Sequence, residues 1–153
     1  DLATTILAEG RRSRLVQKLR EELQIVESID MDVTTLEQGS LVMLEACCPT
    51  EQIERVEMEI HQQLNSSLST DITDEEFHRA LQLVGNGHRF SLEAPGAVAA
   101  SAGSQTLWGR HRDLLAPLQD LMHWNASTLR EQVMPLLQPE RSFTLIARSE
   151  DNA

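Results

Sequence analysis

Arg20 and Glu27 are the two residues of this sequence whose types and spacing could do binding chemistry. Arg20 lies near the end of an amphipathic helical pattern, and Glu27 falls on the apolar face of the strand pattern that follows. An ionised carboxylate on an apolar face is costly unless a cation pairs with it or it reaches water. We therefore predict a bidentate Arg20–Glu27 pair across the helix-to-strand junction. The plain alternative is a solvated Arg20 that pairs with neighbouring glutamates.

The histidines lack the spacing of a zinc site. A catalytic zinc helix of the inverted type carries His-x-x-Glu-His, in which the glutamate activates water. No histidine here has these neighbours, and we expect surface or structural roles for all five: His61, His78, His88, His111 and His123. A metal site that joins His78 and His88 would require a fold that brings them together.

No nucleophilic site stands out either. Ser13 is placed to cap a helix, and Cys47 and Cys48 are adjacent on an apolar strand pattern, where neighbours point to opposite faces. The two thiols are therefore poorly placed to form a disulfide or to bind a metal without a second pair. The sequence predicts no catalytic residue and no metal ligand in this chain.

These side chains are positioned by a helix followed by a hairpin. Leu15, Val16, Leu19 and Leu23 recur at helical spacing, and from Ile25 to Thr35 the apolar period changes to two. Residues 36–39 form a tight connection, and Ser40–Cys48 is apolar on both faces. We predict an antiparallel hairpin whose second strand is central in a sheet covered by helices.

The remaining patterns predict helices and one more strand, in an α+β arrangement of an antiparallel sheet flanked by helices. Thr73 and Glu76 form a capping box, and Gly85 and Gly87 should kink or break the helix that it opens. The predicted elements are a short helix over 1–9, a helix capped by Thr50 that ends near residue 68, a polar linker over 65–71, the long helix from residue 73, helices over 98–107, 114–122 and 125–137, a final strand over 142–148 and a tail over 150–153.

Composition fits one soluble domain. The chain has 153 residues, of which 41% are hydrophobic and 24% charged, and no apolar run is long enough for a membrane span. The formal net charge is −11, and all but one of the 13 basic residues are arginine. This balance argues against a nucleic-acid surface and favours cationic or neutral partners. No signal peptide is recognisable, so the compartment, cytoplasmic or periplasmic, stays open.

The helix-to-strand segment resembles the pitrilysin/insulinase family of zinc metallopeptidases, whose later domains carry a Gly-x-x-Ser-Arg-Leu-x-x-x-Leu-Arg-Glu helix before a strand. Two further segments are similar to family motifs in the same order: Thr73-Asp-Glu-Glu76 followed by Arg79-Ala80, and Leu137-Gln-Pro139-Glu140. The resemblance covers nearly the whole chain and implies the α+β fold of a non-catalytic, C-terminal-type domain. Because that domain begins with a strand, we expect residues 1–153 to be a single domain that lacks its first strand and leaves one sheet edge exposed.

The resemblance also implies roles for Arg20 and Glu27. In the family, the arginine of Leu-Arg-Glu and a tyrosine seven residues later bind the substrate backbone. Arg20 matches that arginine, whereas Glu27 occupies the tyrosine position and the sequence contains no tyrosine. The family further implies a catalytic half, in the same chain or another subunit, that holds the zinc and cleaves peptides.

Two functions follow as expectations. In the first, this domain supports proteolysis by a catalytic half and forms part of its peptide-binding chamber, without being catalytic itself. In the second, it is a scaffold subunit of a multiprotein complex that keeps the fold and has no proteolytic role. A His-x-x-Glu-His segment elsewhere in the parent or in an adjacent gene favours the first, and its absence favours the second.

Overall fold

The computed structural model describes residues 1–36 and 38–148. Two helices come first along the chain, an antiparallel hairpin follows, and the remaining elements are helices. This arrangement confirms the α+β prediction. The elements are α1 (Leu2–Ala8), a π-helix (Val16–Glu22), β1 (Ser28–Leu36), β2 (Gly39–Cys47), α2 (Ile53–Ser69), α3 (Asp74–Ser91), α4 (Pro95–Leu107), α5 (Ala116–Leu121) and α6 (Ala126–Gln132), with 3₁₀ turns at Thr50–Gln52, Met134–Leu137 and Pro139–Arg141. No described helix is both long and apolar enough to cross a bilayer.

Helix α1 lies at the centre of the core. All seven of its residues are buried, because it packs against β1 on one side and α3 on another. The predicted stripe from the next helix joins it through Leu15, Val16 and Leu19. The rest of the core comes from the junction, the hairpin and the later helices: Ile25, Val26, Ile29, Val56, Ile72, Phe77, Ala80, Leu129 and Met134.

The hairpin is confirmed, with Ile29 opposite Ala46 and Val33 opposite Val42. Along β1, Ile29 is buried and Met31 and Val33 are half-buried, while the residues between them are exposed. This is the alternation of a sheet with one face on the core. Residue 37 of the predicted connection lies outside the described residues.

The prediction that β2 is a central strand is wrong. Within the described part of the chain the sheet has two strands, and β2 presents Leu41 and Met43 to solvent. The predicted final strand is also not formed, since residues 142–148 have no regular secondary structure and pair with no described strand. An apolar run identifies a segment that can form a strand, but strand formation needs a neighbour with free backbone groups. The predicted tail over 150–153 lies outside the described residues.

Helix boundaries depend on contacts that are distant in sequence. Helix α3 continues through Gly85 and Gly87 without a break, because Gly85 is buried where its neighbour α5 approaches. A Cβ built on Gly85 would lie 3.4 Å from Arg89 Nη1 and 3.9 Å from Leu121 Cδ1, which are ordinary contact distances, so a small side chain would also fit there. Similarly, α2 runs to Ser69 through the predicted linker, and it starts from a 3₁₀ turn without a side-chain cap from Thr50.

The chain reverses from the π-helix into the hairpin at Gln24. Gln24 has φ +52°, the left-handed region in which a side chain is strained, and is the one non-glycine residue with positive φ in the described chain. Two bonds hold this turn: Leu23 N–H donates to Lys18 O and Ile25 N–H to Leu19 O, both at 3.0 Å. The helix end therefore imposes on Gln24 a conformation that glycine adopts without strain.

Replacing Gln24 by glycine should stabilise the domain. The Gln24→Gly variant is expected to raise the free energy of unfolding by about 1 kcal/mol, because it removes the left-handed strain. Chemical denaturation measures this change. Gln17→Gly is the matched control: Gln17 is exposed within the π-helix, and glycine there should lower stability by about 1 kcal/mol. A loss of stability in Gln24→Gly would contradict this interpretation of the turn.

Candidate functional site

The π-helix presents Arg20 to solvent at its C-terminal end. Leu19, the preceding residue, is fully buried, and Arg20 itself is exposed. The neighbouring glutamates are engaged elsewhere, because Glu21 pairs with Arg11 at 3.6 Å and Glu22 with Lys18 at 3.1 Å. Among the described residues Arg20 has no ion-pair partner, so its guanidinium is available to a ligand.

The predicted position of Glu27 is wrong. Glu27 is exposed and forms no ion pair with Arg20. The turn at Gln24 places the neighbouring residues Ile25 and Val26 together in the core and leaves Glu27 outside. The alternation of buried and exposed residues along the strand therefore begins only at Ser28. The Glu27 backbone N–H donates to Cys47 O at 2.8 Å, and the Cys47 thiol lies 3.9 Å from Glu27 Oε2. Glu27 is therefore fixed at the end of the hairpin with its carboxylate in solvent.

The outer face of the hairpin continues the acidic surface from Glu27. Asp30 and Glu45 lie directly opposite each other on β1 and β2, and both are exposed. Like charges at this position destabilise a strand pair, and neither carboxylate has a cationic partner in the described chain. Asp32 and Met43, the next pair on this face, are also exposed. No described element covers this face, so it can receive a cationic ligand.

A half-buried ion pair holds the helix that carries Arg20. Arg14 Nε donates to Glu76 Oε1 at 2.7 Å, and Arg14 Nη2 donates to Glu76 Oε2 at 2.9 Å. The two side chains are only 14% and 21% exposed. Arg14 Nη2 also donates to the Asp71 carbonyl at 2.9 Å. This pair, the Arg14–Glu76 clamp, joins the segment before the π-helix to the start of α3.

Glu76 also closes the predicted capping box. Its carboxylate accepts the Thr73 N–H at 2.9 Å, and the Thr73 hydroxyl accepts the Glu76 N–H at 3.2 Å. Burial raises the pKa of Glu76, but the hydrogen bonds from Arg14 and Thr73 and the charge of Arg14 outweigh it and leave that pKa below its usual value. Glu76 is therefore ionised at neutral pH.

A second arginine fixes α1 against α3. Arg79 donates to the carbonyls of Glu9 at 2.8 Å and Thr5 at 3.3 Å, which are backbone acceptors at the C-terminal end of α1. Ser13, predicted to cap a helix, instead donates from its hydroxyl to the Gly10 carbonyl at 2.7 Å. Sequence reasoning recognised the two motifs that carry Arg14 and Glu76 but did not pair them. The signal in the sequence that could have predicted the pair was the opposite charge of Arg14 and Glu76, together with the order of their two motifs along the chain.

The structure offers no metal centre within residues 1–36 and 38–148, since no group of three or more His, Cys, Asp or Glu side chains converges there. Three histidines bond to backbone carbonyls instead: His78 to Asp74, His88 to Leu114 and His123 to Gln119.

Both thiols are free, Cys47 exposed and Cys48 half-buried. Burial raises the pKa of the Cys48 thiol, and the nearby Cys47, Glu27 and Glu51 raise it further. Cys48 is therefore a protonated, weak nucleophile at neutral pH.

Comparison with known proteins identifies relatives of this arrangement. Residues 1–84, more than half of the chain, match a family model described as the peptidase M16 inactive domain. No curated protein matches the chain. Among solved structures, the chain is similar to the inactive peptidase domain of a candidate zinc protease from Bordetella parapertussis, with a TM-score of 0.82 and 16% identity, over 100% of this chain and 84% of that one.

Two longer solved proteins share the fold. One is a peptidase M16 inactive domain from Pseudomonas fluorescens, with a TM-score of 0.77 and 14% identity, and the other a protease from Helicobacter pylori, with 0.76 and 20%. Each match covers 88% of this chain but only 32% and 33% of those proteins. The chain thus spans about a third of their length.

Removing the negative charge from the clamp should destabilise the domain in a pH-dependent way. Glu76→Gln keeps a side chain suited to the capping box but loses the ion pair, and should cost about 1–3 kcal/mol near neutral pH. Because the pKa of Glu76 is lower in the folded state, the ionised carboxylate stabilises the fold above the unfolded pKa near 4.5. The advantage of the wild type over Glu76→Gln should shrink as pH falls below that value.

Denaturation curves at several pH values measure this difference. Glu75→Gln is the matched control, since its carboxylate is exposed and pairs at 2.8 Å with an exposed arginine, Arg12. The control should change stability by less than about 1 kcal/mol. A cost for Glu76→Gln that stays the same down to acidic pH would contradict the role given to the clamp.

Proposed function

This chain belongs to the peptidase M16 inactive-domain family, and we propose that it forms one wall of a peptide-binding chamber completed by a catalytic, zinc-bearing half. The catalytic half lies in the same parent chain or in another subunit. The domain contributes contacts to peptide, while cleavage takes place on the zinc of its partner. This chain covers 33% of the Helicobacter pylori protease, and a chain of that length has room for a second, catalytic half.

The observation that carries the proposal is the exposed guanidinium of Arg20, which has no ion-pair partner among residues 1–36 and 38–148. An arginine in solvent on a firmly anchored helix can donate two hydrogen bonds to peptide carbonyls or to a carboxylate. Its helix is anchored by buried Leu15 and Leu19 and by the Arg14–Glu76 clamp. The backbone that carries Arg20 is therefore already fixed when peptide binds, and binding has to order only the side chain.

Glu27 and the acidic outer face of the hairpin determine which peptides this wall prefers. Glu27 occupies the end of the hairpin, and Asp30 and Glu45 lie along the same uncovered strands. The Asp30–Glu45 repulsion is relieved when a cation binds between them, so part of the cost of holding them together is recovered on binding. We assign to this wall a preference for extended peptides with lysine or arginine side chains.

The Arg20→Ala variant tests the role of this residue. In a complex reconstituted with a catalytic half, kcat/KM for a basic peptide should fall about tenfold or more, because a charge-assisted hydrogen bond is lost. Thermal stability should stay within about 0.5 kcal/mol of wild type, since Arg20 is exposed and forms no ion pair with another described residue. Peptide turnover and a denaturation curve on the same preparations give the two measurements.

Two further variants sharpen this test. Arg55→Ala is the matched control, because Arg55 is an exposed arginine on α2 without an ion pair among the described residues, and turnover should not change. Glu27→Tyr removes a carboxylate from this wall and should increase turnover of neutral peptides. Unchanged turnover in both Arg20→Ala and Glu27→Tyr would refute the chamber function and leave the scaffold function.

A further inference from the structure

The outer face of the hairpin changes from acidic to apolar between its base and its tip. Residues directly opposite each other in an antiparallel pair have their side chains on the same face, so this face consists of successive rows. From base to tip, the rows are Asp30 with Glu45, Asp32 with Met43, Thr34 with Leu41, and Leu36 with Gly39. The large apolar side chains therefore lie on the tip side of the Asp30–Glu45 row.

These apolar side chains are open to solvent. Leu41 is 57% exposed, Leu36 is 55% exposed and Met43 is 46% exposed. Leu41 lies at the centre of the three, because Met43 is two residues away on the same strand and Leu36 is diagonally across on β1. Neighbouring apolar side chains that share an exposed face are typical of a surface that is covered when a ligand or a partner binds.

Charge limits what can cover this face. Asp30 and Glu45 are exposed, and neither has a cationic partner among the described residues. A ligand that lies over both parts of the face must carry a cation at one end, since an apolar group there would desolvate two carboxylates without pairing them. At the other end it needs an apolar group to cover Leu41.

The distance between the two parts fits an extended peptide. A strand rises about 3.3 Å per residue, so the row of Asp30 and the row of Leu41, four residues apart, are separated by about 13 Å. A peptide that lies along the strands in extended form has the same rise. Its side chains also alternate in direction, so two residues four positions apart point to the same side. One peptide can therefore reach both parts of the face.

We propose that this wall selects peptides in which a lysine or arginine lies four positions from a large apolar residue. The cation binds between Asp30 and Glu45, and the apolar side chain packs on Leu41, with Met43 and Leu36 on either side. The hairpin thus recognises a spacing between two side chains as well as a charge. This inference rests on the proposed chamber function and specifies its substrate class.

Competition in a complex reconstituted with a catalytic half tests this specificity. Test peptides of one composition carry lysine and leucine either four positions apart or adjacent, each in both orders, and are compared through their inhibition constants against turnover of one fixed basic reporter peptide. The better peptide with four-position spacing should inhibit about fivefold more strongly than the better adjacent one, because only the former buries its leucine while its lysine is paired.

A substitution at the centre of the apolar part shows whether this face is responsible. Leu41→Thr keeps a residue that favours strands but removes most of the apolar contact, and the advantage of the four-position spacing should disappear. Leu136→Thr is the matched control. Leu136 is 59% exposed, in the 3₁₀ turn that packs against α2 and α6, so the advantage should remain.

Two results would overturn the inference and leave the chamber function standing, provided that Arg20→Ala still lowers turnover of the reporter. The first is equal inhibition by the two spacings in the wild type. The second is a Leu41→Thr variant that weakens inhibition by both spacings equally, because Leu41 would then contact the catalytic half and not the apolar residue of the peptide. Turnover that Arg20→Ala leaves unchanged would instead count against the chamber function itself, and the inference would fail with it.

Discussion

The Arg14–Glu76 clamp is the interaction on which the arrangement of this domain depends. It joins two segments that are far apart in sequence, and it does so where both side chains are largely shielded from water. A bidentate pair in such surroundings fixes both distance and orientation, because both guanidinium–carboxylate bonds must be satisfied together. With Arg79 on the carbonyls of α1, the clamp holds α1, the π-helix and α3 as one unit. The hairpin and Arg20 are positioned relative to that unit.

Polar side chains inside this unit have hydrogen-bond partners, whereas charged side chains on the hairpin surface lack partners of opposite charge within the described residues. No buried side-chain nitrogen or oxygen lacks a hydrogen-bond partner in the described part of the chain. On the surface, by contrast, Arg20 has no ion-pair partner within the described residues, and Asp30 and Glu45 face each other. The left-handed Gln24 lies between the π-helix and the hairpin. Backbone strain and like-charge repulsion therefore both lie in the turn and hairpin that follow Arg20, as is common where a protein binds a ligand.

The sequence predicted those features that local chemistry determines. The capping box at Thr73, the hairpin and the early helices follow from side chains near each other in the chain, and the structure confirms them. The position of Glu27 could not be predicted, because one left-handed residue shifts where the strand period begins. Continuity of α3 through Gly85 depends on α5, more than 30 residues away, and pairing of residues 142–148 depends on a strand neighbour. Clamp formation likewise needs the fold to bring the two motifs together.

The most direct test of the chamber function asks whether peptide touches the surface around Arg20. A photo-crosslinking side chain introduced at position 20 or 27, in a complex with a catalytic half, should capture a bound basic peptide on illumination. The same group at position 55, exposed on α2, should capture none. Capture at positions 20 and 27 that excess unlabelled peptide abolishes is the predicted result. No capture at either position, in a complex that still cleaves the peptide, would contradict the proposed function.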